Sequence, residues 1–173
     1  MWSAAHWFKR LAPEARARLG DPGKGLVALL IVASVVMMIF GYRWAPMVQV
    51  WYPPSFAVHI NNLLMLLAFF VYGISATTGR LRGALRHAQL TAVKIWATAH
   101  LLVNGDLASI ILFGGLLAWA VVSVILINRA EPDWQRPDPG PARKDVLLVA
   151  ITAVSFSAVA GIHVWLGVWP FPA

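Results

Sequence analysis

The sequence predicts an all-α integral membrane protein, a helical bundle of about five transmembrane helices with a short N-terminal amphipathic or half-inserted helix. Three observations predict it. The composition, 60% hydrophobic and 12% charged with a mean hydropathy of +0.70, is far from that of a soluble domain. Several apolar runs are long enough to cross hydrocarbon. The basic residues gather in alternate connecting segments, as orientation in a membrane demands.

Residues 1–24 come first. Met1 to Phe8 is apolar but too short to span, and the following KRLAPEARARLGDPGKG is basic, with helical tendency broken by Pro13 and Pro22. This amphipathic segment is expected to dip into the inner leaflet or lie along it. Its charges follow the first apolar residues, the reverse of a cleavable signal. The expected spans are 25–42, 56–74, 107–127 and 146–168, each close to the roughly 18 residues, or about 27 Å, that hydrocarbon requires. A fifth, 88–103, is shorter and more polar, and makes sense only inside a bundle where neighbours satisfy Lys94, Thr98 and His100. Residues 128–145 are proline-rich and charged, which reads as a flexible cytoplasmic loop. With no internal repeat and no separate soluble part, residues 1–173 form a single membrane domain.

Charge tests this reading independently. Lys9, Arg10, Arg16, Arg18 and Lys24 precede the first span; Arg80, Arg82 and Arg86 follow the second; Arg129, Arg136, Arg143 and Lys144 follow the fourth. These are 12 of the 14 basic residues, leaving Arg43 in an opposite loop and Lys94 inside a span. Five spans with a cytoplasmic N-terminus and an external C-terminus fit, and Trp44, Trp51, Tyr52, Trp165, Trp169 and Phe171 fall at the expected outer interface. In so apolar a chain the +7 net charge sets topology and touches anionic headgroups of membrane lipid, so nucleic acid is excluded as a partner.

Without cysteine, disulfides and thiolate metal sites are impossible, and metal chemistry here means histidine. KIWATAHLLVNGDLAS holds the polar groups of an otherwise apolar region. Asn104-Gly105-Asp106 reads as a tight helical hairpin, Gly105 suited to a left-handed helix end and Asp106 to N-capping the next helix with Ser109 at N3. Trp96, His100 and Asn104 are four residues apart and share one helix face, which resembles the lining of a cofactor pocket. His59, His100 and His163 come from three helices at similar depth, near the outer end, with Asn62 on the face of His59 and Gly161, Trp165 and Gly167 around His163. Imidazoles meeting in a bundle hold haem iron or another metal; the bland reading of each is an interfacial histidine bonded to a carbonyl. His6 and His87 fall on the cytoplasmic side. Lys94 either snorkels to the inner headgroups or neutralises a cofactor or substrate anion. No nucleophile stands beside a histidine and a free carboxylate, and there is neither a phosphate loop nor a carboxylate pair.

The stretch GRLRGALRHAQLTAVKIWATAHLLVNGDLASIILFGG resembles the signature of the NnrU membrane proteins, and AHWFKRLAPEARARLG, HINNLLMLLAFF and GIHVWLGVWPF extend the likeness over nearly the whole chain. The resemblance implies a bacterial inner-membrane protein linked to denitrification or nitric oxide metabolism. It also implies similarity to the plant zeta-carotene isomerase, a haem b enzyme whose haem is attributed to two histidines, matching His100 in its W-x-x-A-H pattern and His6. The isomerase carries a cysteine in that pattern where this chain has Ala97, and only five residues precede His6 here. Resemblance thus nominates His6 with His100, while depth nominates His59 and His163 with His100.

The expected function is that of a haem b-binding inner-membrane protein acting in a redox or nitric-oxide-linked process. The alternatives are a haem-dependent cis-trans isomerase of a carotenoid or other apolar polyene lipid, and a non-catalytic subunit or assembly factor of a respiratory or photosynthetic membrane protein complex. The expected site set is His100, His6, His59 and His163 for the metal, with Trp96, Asn104, Asn62 and Lys94 around the cofactor.

Overall fold

The computed structural model describes residues 1–171. Seven helices are present among them: α1 (Trp2–Leu11), α2 (Pro13–Arg18), α3 (Pro22–Trp44), α4 (Ala57–Ala76), α5 (Ala88–Val103), α6 (Leu107–Ala130) and α7 (Arg143–Trp165), with one 3-10 turn at Arg80–Gly83. Among the described residues there is no β-strand. Helices α3, α4, α6 and α7 are long and apolar enough to cross a bilayer. Their outward side chains are apolar too: Leu29, Met37, Leu63, Ile111 and Val154 are each more than 60% exposed. Such a surface needs lipid to cover it, and the protein is a multi-pass membrane protein.

The core of the bundle is a row, α7–α4–α5–α6, with α3 reached through α6 and α1. The shortest member, α5, is central, and its composition explains why. Ala88, Ala92 and Ala99 fall on one face and Ala97 on the opposite one, at about 100° per residue, and all four are buried. Small side chains let helix axes approach closely on both sides. Helix α4 meets α7 in the same way, since a Cβ on Gly73 would stand 2.5 Å from Leu148 Cδ1. Leu148, Ile74 and Ala88 form the solid part of the core, with Phe70 against it.

At this end of the bundle, rich in arginine, the 130–142 connection does not float free. Gly140 N donates to Gly79 O at 3.0 Å, Arg80 N donates to Asp145 Oδ1 at 2.9 Å, and Arg86 donates to the Glu131 carbonyl. The sequence reading of this stretch as flexible follows from its prolines and charges; these backbone partners are long-range and have no local signal.

Helix α1 runs beside the second half of α6, in the same direction. Trp2 packs on Trp119, Trp7 Nε1 donates to Ser123 Oγ at 2.8 Å, and Arg10 pairs with Glu131 at 3.2 Å. These contacts hold the first helix of the N-terminal segment against α6.

The opposite end, rich in exposed tryptophan and tyrosine, is closed by the α3–α4 connection. Val50 N and Trp51 N both donate to Gly105 O, at 2.8 and 3.1 Å, and Leu107 N donates to Val48 O at 2.8 Å. Asp106 is the expected N-cap of α6, its Oδ1 accepting from Ser109 N at 2.9 Å and its Oδ2 from Ser109 Oγ at 2.6 Å. Gly105 differs from expectation. Positive φ occurs only at Gly20 and Gly167 among the described glycines, so Gly105 is not a left-handed helix end. A Cβ there would collide with the Trp51 carbonyl, so glycine is required by the clamp that crosses the turn.

Burial alone would raise the Asp106 carboxyl, but the hydrogen bonds from the Ser109 hydroxyl and nearby backbone N–H groups outweigh it and hold the group below its ordinary value. A depressed carboxylate stabilises above its unfolded pKa of about 3.9, and the benefit is lost as pH falls through the lower folded value. Asp106→Ala is expected to cost about 0.5–2 kcal/mol near neutral pH, read by unfolding in detergent, with the gap to the parent protein closing below about pH 4. Gly105→Ala is expected to be destabilising by more than about 1 kcal/mol, whereas Gly161→Ala, with nothing within 4 Å of its added carbon, is neutral or mildly stabilising in the same measurement.

Candidate functional site: a cavity between four helices

Packing that is solid around Leu148 opens at the aromatic end into a cavity of about 690 Å³, within the usual range for cofactor and small-molecule sites. Each wall is a helical stripe. Helix α4 contributes Val58, Asn61, Asn62, Met65 and Phe69; α5 contributes Trp96, His100 and Val103; α6 contributes Leu112 and Phe113; α7 contributes Phe156, Val159, Ala160 and His163. Asn104, Tyr42, the 53–55 turn and residues 168–171 complete the rim. Phe113 packs on both Trp96 and His100, with ring centroids 5.2 and 4.6 Å away.

His100 and His163 thus line one cavity from two helices, and their local chemistry is alike. His100 Nδ1 lies 3.0 Å from Trp96 O and His163 Nδ1 lies 2.8 Å from Val159 O. A carbonyl only accepts, so in each neutral ring Nδ1 carries the proton and Nε2 keeps its lone pair. That is the tautomer a metal-ligating imidazole adopts, its orientation fixed by a backbone acceptor. Among the described residues neither Nε2 has a hydrogen-bond partner in the protein.

The other expected residues divide. Trp96, Asn62 and Asn104 line the cavity with the two histidines, and Asn104 Nδ2 also donates to His100 O at 2.8 Å, closing the end of α5. His59 lies at the same end but is exposed, because it follows Val58 and so stands about 100° off the stripe that α4 turns inward. Lys94 lies about 200° around α5 from Trp96 and is half-buried on the far flank. His6 is elsewhere, packed against Trp2 and Trp119 at centroid distances of 4.0 and 5.0 Å. Phe113 and Trp119 stand six residues apart on α6, roughly 9 Å along its axis and about 120° apart around it. His100 and His6, each packed on one of them, therefore lie on different flanks of α6. His87 bonds Asn128 Oδ1 at the arginine-rich end.

Asn61 is the residue that the sequence reading missed. Its Nδ2 donates to Asn62 Oδ1 at 2.9 Å, while its Oδ1 is buried without a partner. Turning both amides over exchanges the unmet acceptor for an unmet donor, but one polar atom remains open in either arrangement. Leaving it so costs about 1–3 kcal/mol, and a ligand with a polar group meets it. The i, i+3, i+7 spacing of Val58, Asn61 and Met65 was the available signal.

No curated protein and no solved structure matches the chain. A family model described as NnrU protein matches residues 1–170, which takes in every helix and both histidines of the cavity, and the chain belongs to the NnrU family.

Proposed function

We propose that this protein holds a b-type haem in the four-helix cavity, with His100 and His163 as the residues that would take the iron, and that it serves a redox or nitric-oxide-linked process in a bacterial inner membrane. One observation carries the reading: two imidazoles on different helices, both with Nδ1 tied to a backbone carbonyl and Nε2 uncommitted, line a single cavity walled by Trp96, Phe113, Phe69 and Phe156. A flat apolar macrocycle suits such walls, and bis-imidazole ligation between helices of a bundle is a common way to hold it. With both amides turned over, the open Asn61 atom is the Nδ2 donor, which suits the macrocycle's carboxylate edge. A bound haem would supply one-electron chemistry. The chain's own part is to orient the two rings through Trp96 O and Val159 O and to keep water from the apolar side.

A polyene as the ligand, in an isomerase, finds support in the apolar walls, yet a hydrocarbon offers nothing to the unmet atom of Asn61. Turnover of a cis-polyene by the purified protein would favour that class. A haem-free protein that copurifies with a larger complex would favour a subunit or assembly factor.

The detergent-purified protein is expected to show a Soret band and a haem b pyridine spectrum. His100→Ala should abolish or greatly weaken haem binding. His163→Ala should lower haem content and shift the remainder from low to high spin, while His59→Ala and His6→Ala keep the parent spectrum. Full haem retention in His100→Ala would sink the proposal, and loss on His6→Ala alone would move the second ligand to α1.

Orientation follows from charge. We infer a cytoplasmic N-terminus and five crossings from the clustering of 12 of the 14 basic residues in three segments. The Gly140–Gly79 hydrogen bond supports five, since it holds the segments after α4 and after α6 at one end, and α5 must then return the chain. Reporter fusions after Gly79 and Gly140 should read cytoplasm. Fusions after Trp51 and after Ala173, which is outside the described residues, should read the exterior; an external signal at Gly140 would remove α5 from the spans.

A further inference from the structure

A second cavity, of about 410 Å³, lies between α3 and α6 in the aromatic half of the bundle, with Trp2 of α1 in its wall. Tyr42 and Leu112 border both this cavity and the one lined by His100. Its space comes from missing side chains: Cβ atoms added to Gly41 on α3 or Gly115 on α6 meet nothing within 4 Å. Both glycines are exposed, and of the 23 residues of α3 only Gly23 and Ser34 are buried, so the gap is reached from the bilayer.

Tyr42 borders it with a defined hydrogen-bond sense. Ser109 has a single hydroxyl proton, which goes to Asp106 Oδ2 at 2.6 Å, and an ionised carboxylate cannot return one. Ser109 Oγ therefore accepts from the Tyr42 hydroxyl, 3.0 Å away. With its only proton spent on Ser109, the Tyr42 oxygen is left as an acceptor alone. A polar group placed on that oxygen must be a donor, and the bare backbone at Gly41 and Gly115 leaves open room beside it for a ring.

We propose that this cavity binds a membrane-dissolved hydroquinone bearing an apolar tail, its ring hydroxyl donating to Tyr42 Oη and its ring and tail lying between α3 and α6 along Gly41 and Gly115. The site uses none of the four histidines weighed as iron ligands and stands whether or not a haem is bound.

The test is anaerobic titration of the full chain in lipid nanodiscs, followed by quenching of tryptophan fluorescence, with a short-tailed hydroquinone, its oxidised quinone and an aliphatic alcohol of the same tail length. The hydroquinone is expected to bind several-fold to about tenfold tighter than the quinone, the worth of one net hydrogen bond. Tyr42→Phe should erase that preference. Gly115→Leu fills the gap without a clash and favours the helix, so it should remove binding without lowering the thermal unfolding temperature. Equal affinity for hydroquinone and quinone, an alcohol that binds as tightly as the hydroquinone, or undiminished binding by Gly115→Leu overturns the proposal. Any haem spectrum should be the same in Gly115→Leu, whose glycine borders this cavity and not the one lined by His100, so this site and the haem site fail or stand separately.

Discussion

The close approach of α5 to its neighbours is the contact on which the rest of the bundle depends. Four buried alanines, three on one face and Ala97 on the other, bring α4 and α6 against a helix of only 16 residues. In lipid there is no hydrophobic drive to pull helices together, so close backbone packing through small side chains must do it. Once α5 is held on both sides, the flank between its alanine faces is committed to the interior. That flank carries Trp96 and His100, so two residues with costly polar atoms are placed inside the bundle and away from acyl chains.

The same arrangement explains why one end is solid and the other hollow. Toward the arginine-rich end, Gly73 admits Leu148 and the helices close on each other. Toward the aromatic end the inward stripes carry large rings, Phe69, Trp96, Phe113 and Phe156, which hold the helices apart and leave the cavity. The clamp of Val50 and Trp51 on Gly105 ties the two connections at that end together and fixes the α5–α6 hairpin beneath it.

Many polar groups within the bundle are satisfied by the nearest backbone. His6, His100 and His163 each bond the carbonyl four residues before them, as do Ser34, Ser123 and Thr152. For a hydroxyl this spends the only proton. For an imidazole it spends one nitrogen and leaves the other, which turns an economical local bond into a ligand position. Asn61 keeps an unmet amide atom, as Trp2 and Trp119 keep unmet indole N–H groups, and in the cavity lined by His100 such an atom is where a bound molecule would meet the protein.

Much of this was legible in the chain. The apolar runs located the long helices, the bounds of α5 at Ala88 and Val103 agree with the sequence reading, and Asp106 caps α6 through Ser109 as its spacing indicates. The i, i+4 relation of Trp96, His100 and Asn104 put them on one face. These are local properties, set by helical periodicity and by hydrogen bonds within a turn. What the sequence left open was long-range. Three histidines lie near one end, but only the rotation of α4 against its neighbours decides that Asn61 turns inward and His59 outward, a matter of about 100° per residue. Gly105 is required by the Trp51 carbonyl, and the 130–142 connection is tied at Gly79, because segments distant in the chain pass within a Cβ's width of each other. The sequence by itself determined helices, caps and faces; tertiary packing alone decided which faces meet, since the helix–helix rotation is set by side chains on the partner.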